Sequence, residues 1–233
     1  MGAESAETIK QTWSAHLRDE LGFWSDWFRT KGKQWPQLYK DRLDPDLPLQ
    51  ARFIRCLAVP AGGTARILDV GAGPLTLIGK KWEGRRVELV PTDALADGYD
   101  RLMAEFGVEP PVRTIACEAE KLEEKFGEGS FDLSHAQNSL DHCYDPMLAI
   151  RQMIAVTKPG GFVLLNHNLD EAEQQEYGGL HQWNFAIRDG RAVIWNREGS
   201  RDIAEELGAG VEVESELRGE GNWVSVTIRR LGS

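Results

Sequence analysis

The stretch that decides the fold reads Ala65-Arg66-Ile67-Leu68-Asp69-Val70-Gly71-Ala72-Gly73-Pro74-Leu75-Thr76, and an isolated acid follows at Asp93. An apolar strand that ends in an acid and then turns through two glycines is typical of a nucleoside-binding edge in an α/β sheet. Glycine lacks a Cβ, so it lets a ligand approach the backbone and permits a positive φ in the turn. A carboxylate there accepts hydrogen bonds from hydroxyl or ammonium groups. The stretch therefore predicts a site for a cationic ligand that carries a sugar.

Strand-like and helix-like runs alternate on both sides of this stretch, and their short connections predict a parallel sheet that is covered on both faces. The predicted strands are 66–70, 86–91, 112–116, 131–136 and 162–166, and the predicted helices cover about 75–82, 96–106, 119–125 and 145–157. A hairpin over 187–195, a helix over 200–207 and an antiparallel pair over 211–217 and 222–230 are predicted to follow.

Residues 1–58 are predicted to form a helical cap, and residues 59–233 the nucleoside-binding domain. The cap prediction rests on apolar residues at helical spacing, which fall on one face: Trp13, Leu17, Leu21, Trp24 and Phe28. Gly32 is a suitable end for this helix, and three prolines interrupt the rest of the cap.

Composition excludes several classes of protein. The 233 residues carry a net charge of −10, and an acidic surface opposes the capture of nucleic acid and of anionic membranes. No apolar run approaches the roughly 18–20 residues that cross a bilayer, and the first residues do not resemble a signal peptide. Cys56, Cys117 and Cys143 lack metal-ligand spacing and are interpreted as reduced thiols. These features predict a cytoplasmic protein with no nucleic-acid or membrane partner.

Two alternatives to the cationic ligand remain open. A nicotinamide-dependent oxidoreductase would place a third glycine where this chain has Thr76, and it would not favour Pro74 in the turn. The carboxylate of Asp69 would also repel a pyrophosphate. The other alternative is a noncatalytic protein that keeps the fold as a nucleoside-binding or regulatory module.

The chain resembles the class I S-adenosylmethionine-dependent methyltransferases over roughly residues 60–231. The order and spacing of five short segments carry the resemblance: 68–73, 91–93, 117–120, 131–133 with Asn138, and 157–161. The resemblance implies an α/β fold with a Rossmann-like, seven-stranded, mostly parallel sheet and an antiparallel last strand. It also implies S-adenosyl-L-methionine as cofactor and S-adenosyl-L-homocysteine as product.

The same resemblance implies where the cofactor binds. Asp69 and the backbone of the glycine turn would contact the methionine part of the cofactor. Asp93 would bind the ribose hydroxyls, and Glu118 and Ala119 would contact the adenine. The predicted cofactor-binding residues are Asp69, Gly71, Ala72, Gly73, Asp93, Ala94, Glu118, Ala119 and Asn138. The family more often has Asp at position 118, and a helix cap at Asp93 or a solvated loop acid at Glu118 are the structural alternatives.

Methyl transfer is an in-line displacement, so the protein mainly has to align the acceptor and exclude water. An alcohol acceptor also has to lose a proton, for which His or a carboxylate is suited. The predicted catalytic residues follow the fourth and fifth strands: Asp141, His142, His167 and His181. The alternative interpretation is that Asp141 caps the next helix and that the histidines are structural. No metal is predicted, because no closely spaced ligand pair marks a site, and a metal held by His167, His181 and Asp141 or Glu171 is the alternative that stays open.

Aromatic and amide side chains are predicted to bind the acceptor, since flat rings stack well on sugars and aromatic molecules. The predicted acceptor-binding residues are Trp24, Trp27, Trp35, Tyr177, Trp183 and Asn184. Two segments around them are similar to a bacterial methyltransferase subgroup that modifies saccharides or secondary metabolites. The sequence therefore predicts O- or N-methylation of a small molecule or saccharide.

Overall fold

A computed structural model describes residues 6–232. The strands are β1 (Thr64–Val70), β2 (Arg86–Asp93), β3 (Ile115–Ala116), β4 (Phe131–Gln137), β5 (Thr157–Asn168), β6 (Asn184–Arg188), β7 (Arg191–Trp195), β8 (Ser200–Asp202), β9 (Val211–Arg218) and β10 (Trp223–Arg230). The α-helices are α1 (Ala6–Arg29), α2 (Pro36–Leu43), α3 (Ala51–Ile54), α4 (Ala96–Phe106), α5 (Leu122–Phe126), α6 (Pro146–Val156), α7 (Glu171–Gln174) and α8 (Ile203–Leu207).

Seven strands form one sheet in the order β3-β2-β1-β4-β5-β10-β9. The pairs β1–β2, β1–β4, β4–β5 and β2–β3 are parallel, whereas β10 runs antiparallel to both of its neighbours. This confirms the predicted seven-stranded, mostly parallel sheet with an antiparallel last strand. The chain reverses its spatial order at β1, so β1 and β4 flank the topological switch point where such sheets bind ligands.

Successive side chains of β1 pack on opposite faces of the sheet. Leu68 and Val70 belong to an apolar cluster that includes the buried face of α6, whereas Ala65 and Ile67 pack in a second cluster with Phe53 of α3. A strand that buries alternate residues in two cores lies between two layers of covering structure. The predicted burial of both faces is therefore confirmed.

The predicted hairpin is also present, as β6 and β7 in a separate antiparallel sheet of three strands with β8. Asp189 and Gly190 connect β6 to β7, and both have a positive φ, of 50° and 77°. Two consecutive residues with positive φ match the right-handed twist of a two-residue hairpin. The helix predicted over 200–207 starts only at Ile203, because the first residues pair as β8.

The helix predicted over 75–82 is wrong, since this segment is irregular and ends in isolated β-bridges at Lys81 and Trp82. Its backbone groups bond to side chains instead of to one another. Gln50 Nε2 donates to the Leu77 carbonyl at 2.9 Å, and Gln50 Oε1 accepts from the Gly79 amide at 3.1 Å. Pro74 removes a further amide donor at the start of the segment. Tertiary contacts with the residues before β1 thus replace the helical hydrogen bonds.

Helix α1 carries the predicted apolar stripe, and it packs on α4 and on the glycine turn. Trp27 and Phe28 are buried in a cluster with Tyr99 and Met103 of α4. A Cβ added at Gly98 would lie 2.7 Å from Leu21 Cδ2, so the two helices touch closely there. Within residues 6–232, the structure contains no helix with the length and apolar character of a bilayer span. The domain boundary at residue 58 stays a prediction.

Replacing Gly79 by Ala is expected to destabilise the fold. The new Cβ would lie 2.0 Å from the carbonyl oxygen of Pro48, and backbone atoms have to move to relieve this overlap. We expect the free energy of unfolding in urea to fall by about 1–3 kcal/mol. Gly199→Ala is the control, because nothing lies within 4 Å of the Cβ it would add. Equal stability of the two variants would contradict the tight contact between the two segments.

Candidate active site

A cavity of about 640 Å³ lies at the carboxyl ends of β1, β2 and β4, and α1 lies across it. Most of the residues predicted to bind the cofactor line this cavity: Asp69, Gly71, Ala72, Gly73, Asp93, Ala94, Ala119 and Asn138. The cavity therefore occupies the ligand edge that the sequence predicts, and it continues to the loop after β4.

Both glycines of the turn are required by conformation and by space. Gly71 and Gly73 have φ values of 64° and 65°, which side chains rarely adopt. A Cβ at Gly71 would lie 2.3 Å from Ser139 Cβ, and one at Gly73 would lie 2.6 Å from Trp24 Cζ2. The turn thus presents bare backbone to the cavity, with the loop after β4 and α1 packed directly against it.

Asp69 is buried, and both of its carboxylate oxygens have protein partners. Oδ1 lies 2.8 Å from His135 Nδ1 on β4, and Oδ2 accepts from Thr76 Oγ1 at 2.6 Å. Burial lowers the pKa of His135, so its ring is a neutral donor toward this carboxylate. Thr76 stands where the dinucleotide pattern has its third glycine. It thus donates the second hydrogen bond to the carboxylate of Asp69.

Arg42 of α2 holds the turn from the other side, a role that its sequence context did not indicate. Its Nη1 donates to the carbonyl of Leu75 and, at 3.4 Å, to that of Ala72. Burial lowers the pKa of Arg42 to about 10, while the charge of Asp69 opposes that shift. The guanidinium remains charged near neutral pH and compensates the buried carboxylate.

Asp93 ends β2 and faces the cavity with a partly satisfied carboxylate. It accepts hydrogen bonds from the amides of Leu95, at 2.9 Å, and Gly73, at 3.1 Å. Burial nevertheless raises its pKa to about 6, because these two bonds only partly offset the loss of water. Leu95, and not Asp93, occupies the N-cap position of α4.

Glu118, the acid predicted beside the adenine, and the nearby Glu120 have different surroundings. Glu118 does not line the main cavity, and its Oε2 is engaged by Lys10 Nζ at 2.7 Å and by the Tyr144 hydroxyl at 3.1 Å. Glu120, which was not predicted from the sequence, does line it and accepts from the amides of Tyr144 and Asp145. Burial raises the pKa of Glu120 to about 7.

Asn138 joins the ends of β4 and β5 beside the cavity. Its backbone has a φ of 48°, its amide donates to the Asn166 carbonyl, and its Oδ1 accepts from the Asn168 amide at 3.0 Å. An asparagine tolerates this left-handed conformation better than most residues. The side chain predicted to lie near the cofactor therefore also fixes the mouth of the sheet.

Three predicted catalytic residues meet at the far end of the cavity, and we call them the Asp141–His142–His181 cluster. His142 Nε2 lies 3.0 Å from His181 Nδ1 and 3.3 Å from Asp141 Oδ2, and His181 Nδ1 lies 2.9 Å from the same oxygen. The Gln182 amide donates to the Asp141 carbonyl at 3.2 Å and so ties the loop after β5 to the loop after β4. Both histidines line the cavity.

The buried carboxylate of Asp141 stays charged because histidines surround it. Burial would raise its pKa, but His142 and His181 hold the pKa below its usual value. In turn, burial would lower the pKa of His181, but the bond to Asp141 raises it above its usual value. The helix-cap alternative for Asp141 is wrong, since Asp145 caps α6 by accepting from the Leu148 amide at 3.0 Å.

His167 lies behind the cluster rather than in the cavity wall. Its ring stacks on Phe185 with centroids 4.0 Å apart, and its Nδ1 is 4.0 Å from Asp141 Oδ1. Burial lowers the pKa of His167 to about 4, so the ring is neutral. Its predicted catalytic role stays a prediction, and its observed contacts are those of a packed support.

The residues predicted to bind the acceptor fall into two groups. One group lines the cavity: Trp24, Trp27 and Trp35. The other group braces the loop after α7: Trp183 donates to the Cys143 carbonyl at 3.0 Å, and the Tyr177 hydroxyl accepts from Asn184 at 3.0 Å. Because Asn184 is fully buried, its side chain cannot reach an acceptor without rearrangement.

Helix α1 contributes more of the wall than the sequence indicates. Trp13 Nε1 donates to the His142 carbonyl at 2.8 Å, and Lys10 Nζ donates to Glu118 Oε2 at 2.7 Å. Trp13, Leu17, Glu20 and Phe23 all line the cavity. The helical spacing of the aromatic residues was the only signal of this arrangement. It predicts an apolar face on the helix, but it does not tell which surface that face covers.

Comparisons with known proteins agree with this architecture. Residues 68–165 match a family model described as a methyltransferase domain. A chain from the complex of the Haloferax volcanii Trm112 methyltransferase activator with a methyltransferase aligns with a TM-score of 0.53 at 13% identity, over 93% of this chain and 98% of that one. The CurJ carbon methyltransferase aligns with a TM-score of 0.53 at 16% identity, over 75% of this chain and 50% of that one. No curated protein matches the chain.

The fold and the glycine turn define an α/β protein with a cavity at its switch point. Residues 68–165, which carry the glycine turn and Asp93, match a methyltransferase domain, and this match implies S-adenosylmethionine as the cofactor. The observed site fits this group, since the glycine turn and Asp93 line one cavity and Asp93 supplies an acceptor for hydroxyl groups. Both structural neighbours support the fold alone, because their sequence identities are low.

The affinity for S-adenosylhomocysteine is expected to depend on the charge of Asp93. A hydroxyl donor prefers the ionised carboxylate, so binding should be constant at higher pH and should weaken below pH about 6, by up to about tenfold per pH unit. The titratable groups that face Asp93 are Glu20, Tyr99 and His142. Calorimetric titrations between pH 5 and pH 8 would measure the profile.

Two variants separate Asp93 from its neighbours. Asp93→Asn should weaken binding at neutral pH by about tenfold or more and flatten the acid limb, because it removes a buried charged acceptor. Asp97→Asn alters an exposed acid in the first turn of α4 and should keep the wild-type profile. An unchanged acid limb in Asp93→Asn would assign the pH dependence to another group.

Proposed function

We propose that this methyltransferase transfers a methyl group to an oxygen or nitrogen atom of a small molecule or saccharide. The observation that carries the proposal is that one cavity joins the glycine turn at one end to the Asp141–His142–His181 cluster at the other. The cofactor site and a group able to handle a proton therefore share one enclosed space.

The size and cover of the cavity support a small acceptor. A volume of about 640 Å³ lies within the range of sites that enclose small ligands, roughly 300–1,000 Å³. Helix α1 contributes Trp24 and Trp27 to the wall, and such rings suit the apolar face of a sugar or an aromatic metabolite. The net charge of −10 argues against a nucleic-acid acceptor.

The cofactor supplies an activated methyl group on its sulfonium when it is bound. The residues of the chain then have to orient the acceptor and remove its proton. In this proposal the buried carboxylate of Asp141 fixes the imidazoles of His142 and His181. His142 lines the same cavity as Asp93 and takes the proton of the acceptor. Asp69 acts by holding the turn, because both of its oxygens are engaged.

The alternatives are less well supported. A nicotinamide cofactor would bring a pyrophosphate toward a cavity wall that includes Asp69 and Asp93, where like charges repel. A noncatalytic module would need no cluster of two histidines around a buried acid. A cytoplasmic location belongs to the same proposal and rests on the three free cysteines, which suit a reducing compartment.

The direct test is transfer of a labelled methyl group from S-adenosylmethionine to a panel of hydroxylated metabolites, amines and saccharides. Thermal-shift measurements with S-adenosylmethionine, S-adenosylhomocysteine and NAD would accompany it. Stabilisation by the first two, together with label in a small product, supports the proposal. Cofactor binding without transfer to any member of a broad panel would favour the noncatalytic module.

Replacing His142 by Ala should separate chemistry from cofactor binding. We expect turnover of an alcohol acceptor to fall by about 10²–10⁴-fold, because the proton-handling group is lost. The affinity for S-adenosylhomocysteine should change by no more than about twofold, since Asp93 and the glycine turn remain. His16→Ala is the matched control, because that histidine lies half-exposed beside Asp19 on α1. Wild-type turnover in His142→Ala would remove His142 from the mechanism.

A further inference from the structure

We propose that the Asp141–His142–His181 cluster binds a divalent transition-metal ion that holds a hydroxyl group of the acceptor. The role given to the acceptor rests on the proposed function, whereas metal binding itself does not. No metal was predicted from the sequence, because positions 141, 142 and 181 show no ligand spacing along the chain. The folded loops after β4 and β5 bring them together.

The separations of the three ligand atoms match those around a metal ion. Asp141 Oδ2 lies 2.9 Å from His181 Nδ1 and 3.3 Å from His142 Nε2, and the two nitrogens are 3.0 Å apart. Ligands on bonds of about 2.1 Å are separated by about 3.0 Å in an octahedral and about 3.4 Å in a tetrahedral arrangement. One ion can therefore bond to all three atoms while the side chains stay close to their observed positions.

Hydrogen bonding alone does not satisfy these three atoms. Each imidazole nitrogen has one in-plane direction, which holds either a proton or a lone pair. The two nitrogens face each other and the same carboxylate oxygen, so one proton cannot serve all three contacts at full strength. A cation bonded to both ring nitrogens and to the carboxylate oxygen would satisfy all three atoms together.

The surroundings of the cluster resemble those of bound metals in two further respects. The outer nitrogen of His142, Nδ1, faces Glu20 Oε2 at 4.0 Å, and metal-binding histidines commonly direct their second nitrogen toward a carboxylate. The second oxygen of Asp141, Oδ1, is buried without a hydrogen-bond partner, with His167 Nδ1 4.0 Å away. A buried carboxylate with one unbonded oxygen can bind a cation through that oxygen as well.

The ligand chemistry selects the class of ion. Two imidazoles and one carboxylate suit Zn²⁺, Mn²⁺, Fe²⁺ or Co²⁺, whereas Mg²⁺ and Ca²⁺ prefer oxygen ligands. Three protein ligands leave coordination positions open, and both histidines line the cavity, so those positions face the acceptor space. An ion there would orient an acceptor hydroxyl and lower its pKa, and the released proton would pass to solvent, because with the ion bound His142 serves as a ligand and not as the base.

Metal binding can be measured on the full chain without any acceptor. Chelator-treated protein would be titrated with Zn²⁺, Mn²⁺ and Co²⁺ by calorimetry, and the visible absorption of Co²⁺ would report nitrogen ligation. We expect one ion per chain. His142→Ala, His181→Ala and Asp141→Asn should each weaken binding by more than the roughly 10–100-fold typical of losing an outer partner. His16→Ala should bind like the wild type.

The outcomes distinguish this inference from the proposed function. Absence of binding by wild-type protein that still binds S-adenosylhomocysteine overturns the metal site and leaves the methyltransferase proposal standing. Binding that survives in both histidine variants also overturns it. Full methyl transfer by metal-free protein overturns the role at the acceptor. Conversely, stoichiometric binding that is lost in the variants supports the site, even if no acceptor in the panel is methylated.

Discussion

The site depends on one buried carboxylate. Asp69 ends β1 and is held by His135 of the neighbouring strand and by Thr76 at the far side of the turn. A buried charge is tolerated only when hydrogen bonds and a counter-charge compensate it, and Arg42 supplies the latter. These constraints fix the turn at both ends, so that Gly71 and Gly73 keep their left-handed backbone.

Much of the fold could be predicted from local patterns, because those patterns report local physics. Alternation of strand-like and helix-like runs predicts a parallel sheet that is covered on both faces, and Asp189-Gly190 marks a two-residue hairpin. The pattern failed over 75–82, where Gln50 takes backbone groups that a helix would have used. Since Gln50 lies some 27 residues away along the chain, no short-range signal reveals its partner.

The candidate site was only partly predictable for the same reason. Residues at the ends of β1, β2 and β4 could be assigned to one edge, because parallel strands end together. The convergence of His142 and His181 on Asp141 depends on the path of the loop after β5, which the sequence does not specify. His167 illustrates the opposite case: it ends the fifth strand as predicted, yet Phe185 covers its ring and removes it from the cavity.

The glycine turn, α1 and the Asp141–His142–His181 cluster surround one cavity, and the charge of its wall affects what can bind there. Acids dominate the polar part of the wall, and burial raises the pKa of Asp93 to about 6 and that of Glu120 to about 7. Carboxylates that are held above their usual pKa lack positive partners, and a cation that enters their space regains favourable interaction energy with them. The same wall that repels a pyrophosphate would therefore attract a sulfonium nucleoside beside Asp93 and Glu120. Because α1 packs on the glycine turn through Trp24 and on the loop after β4 through Trp13, exclusion of water would strengthen this attraction.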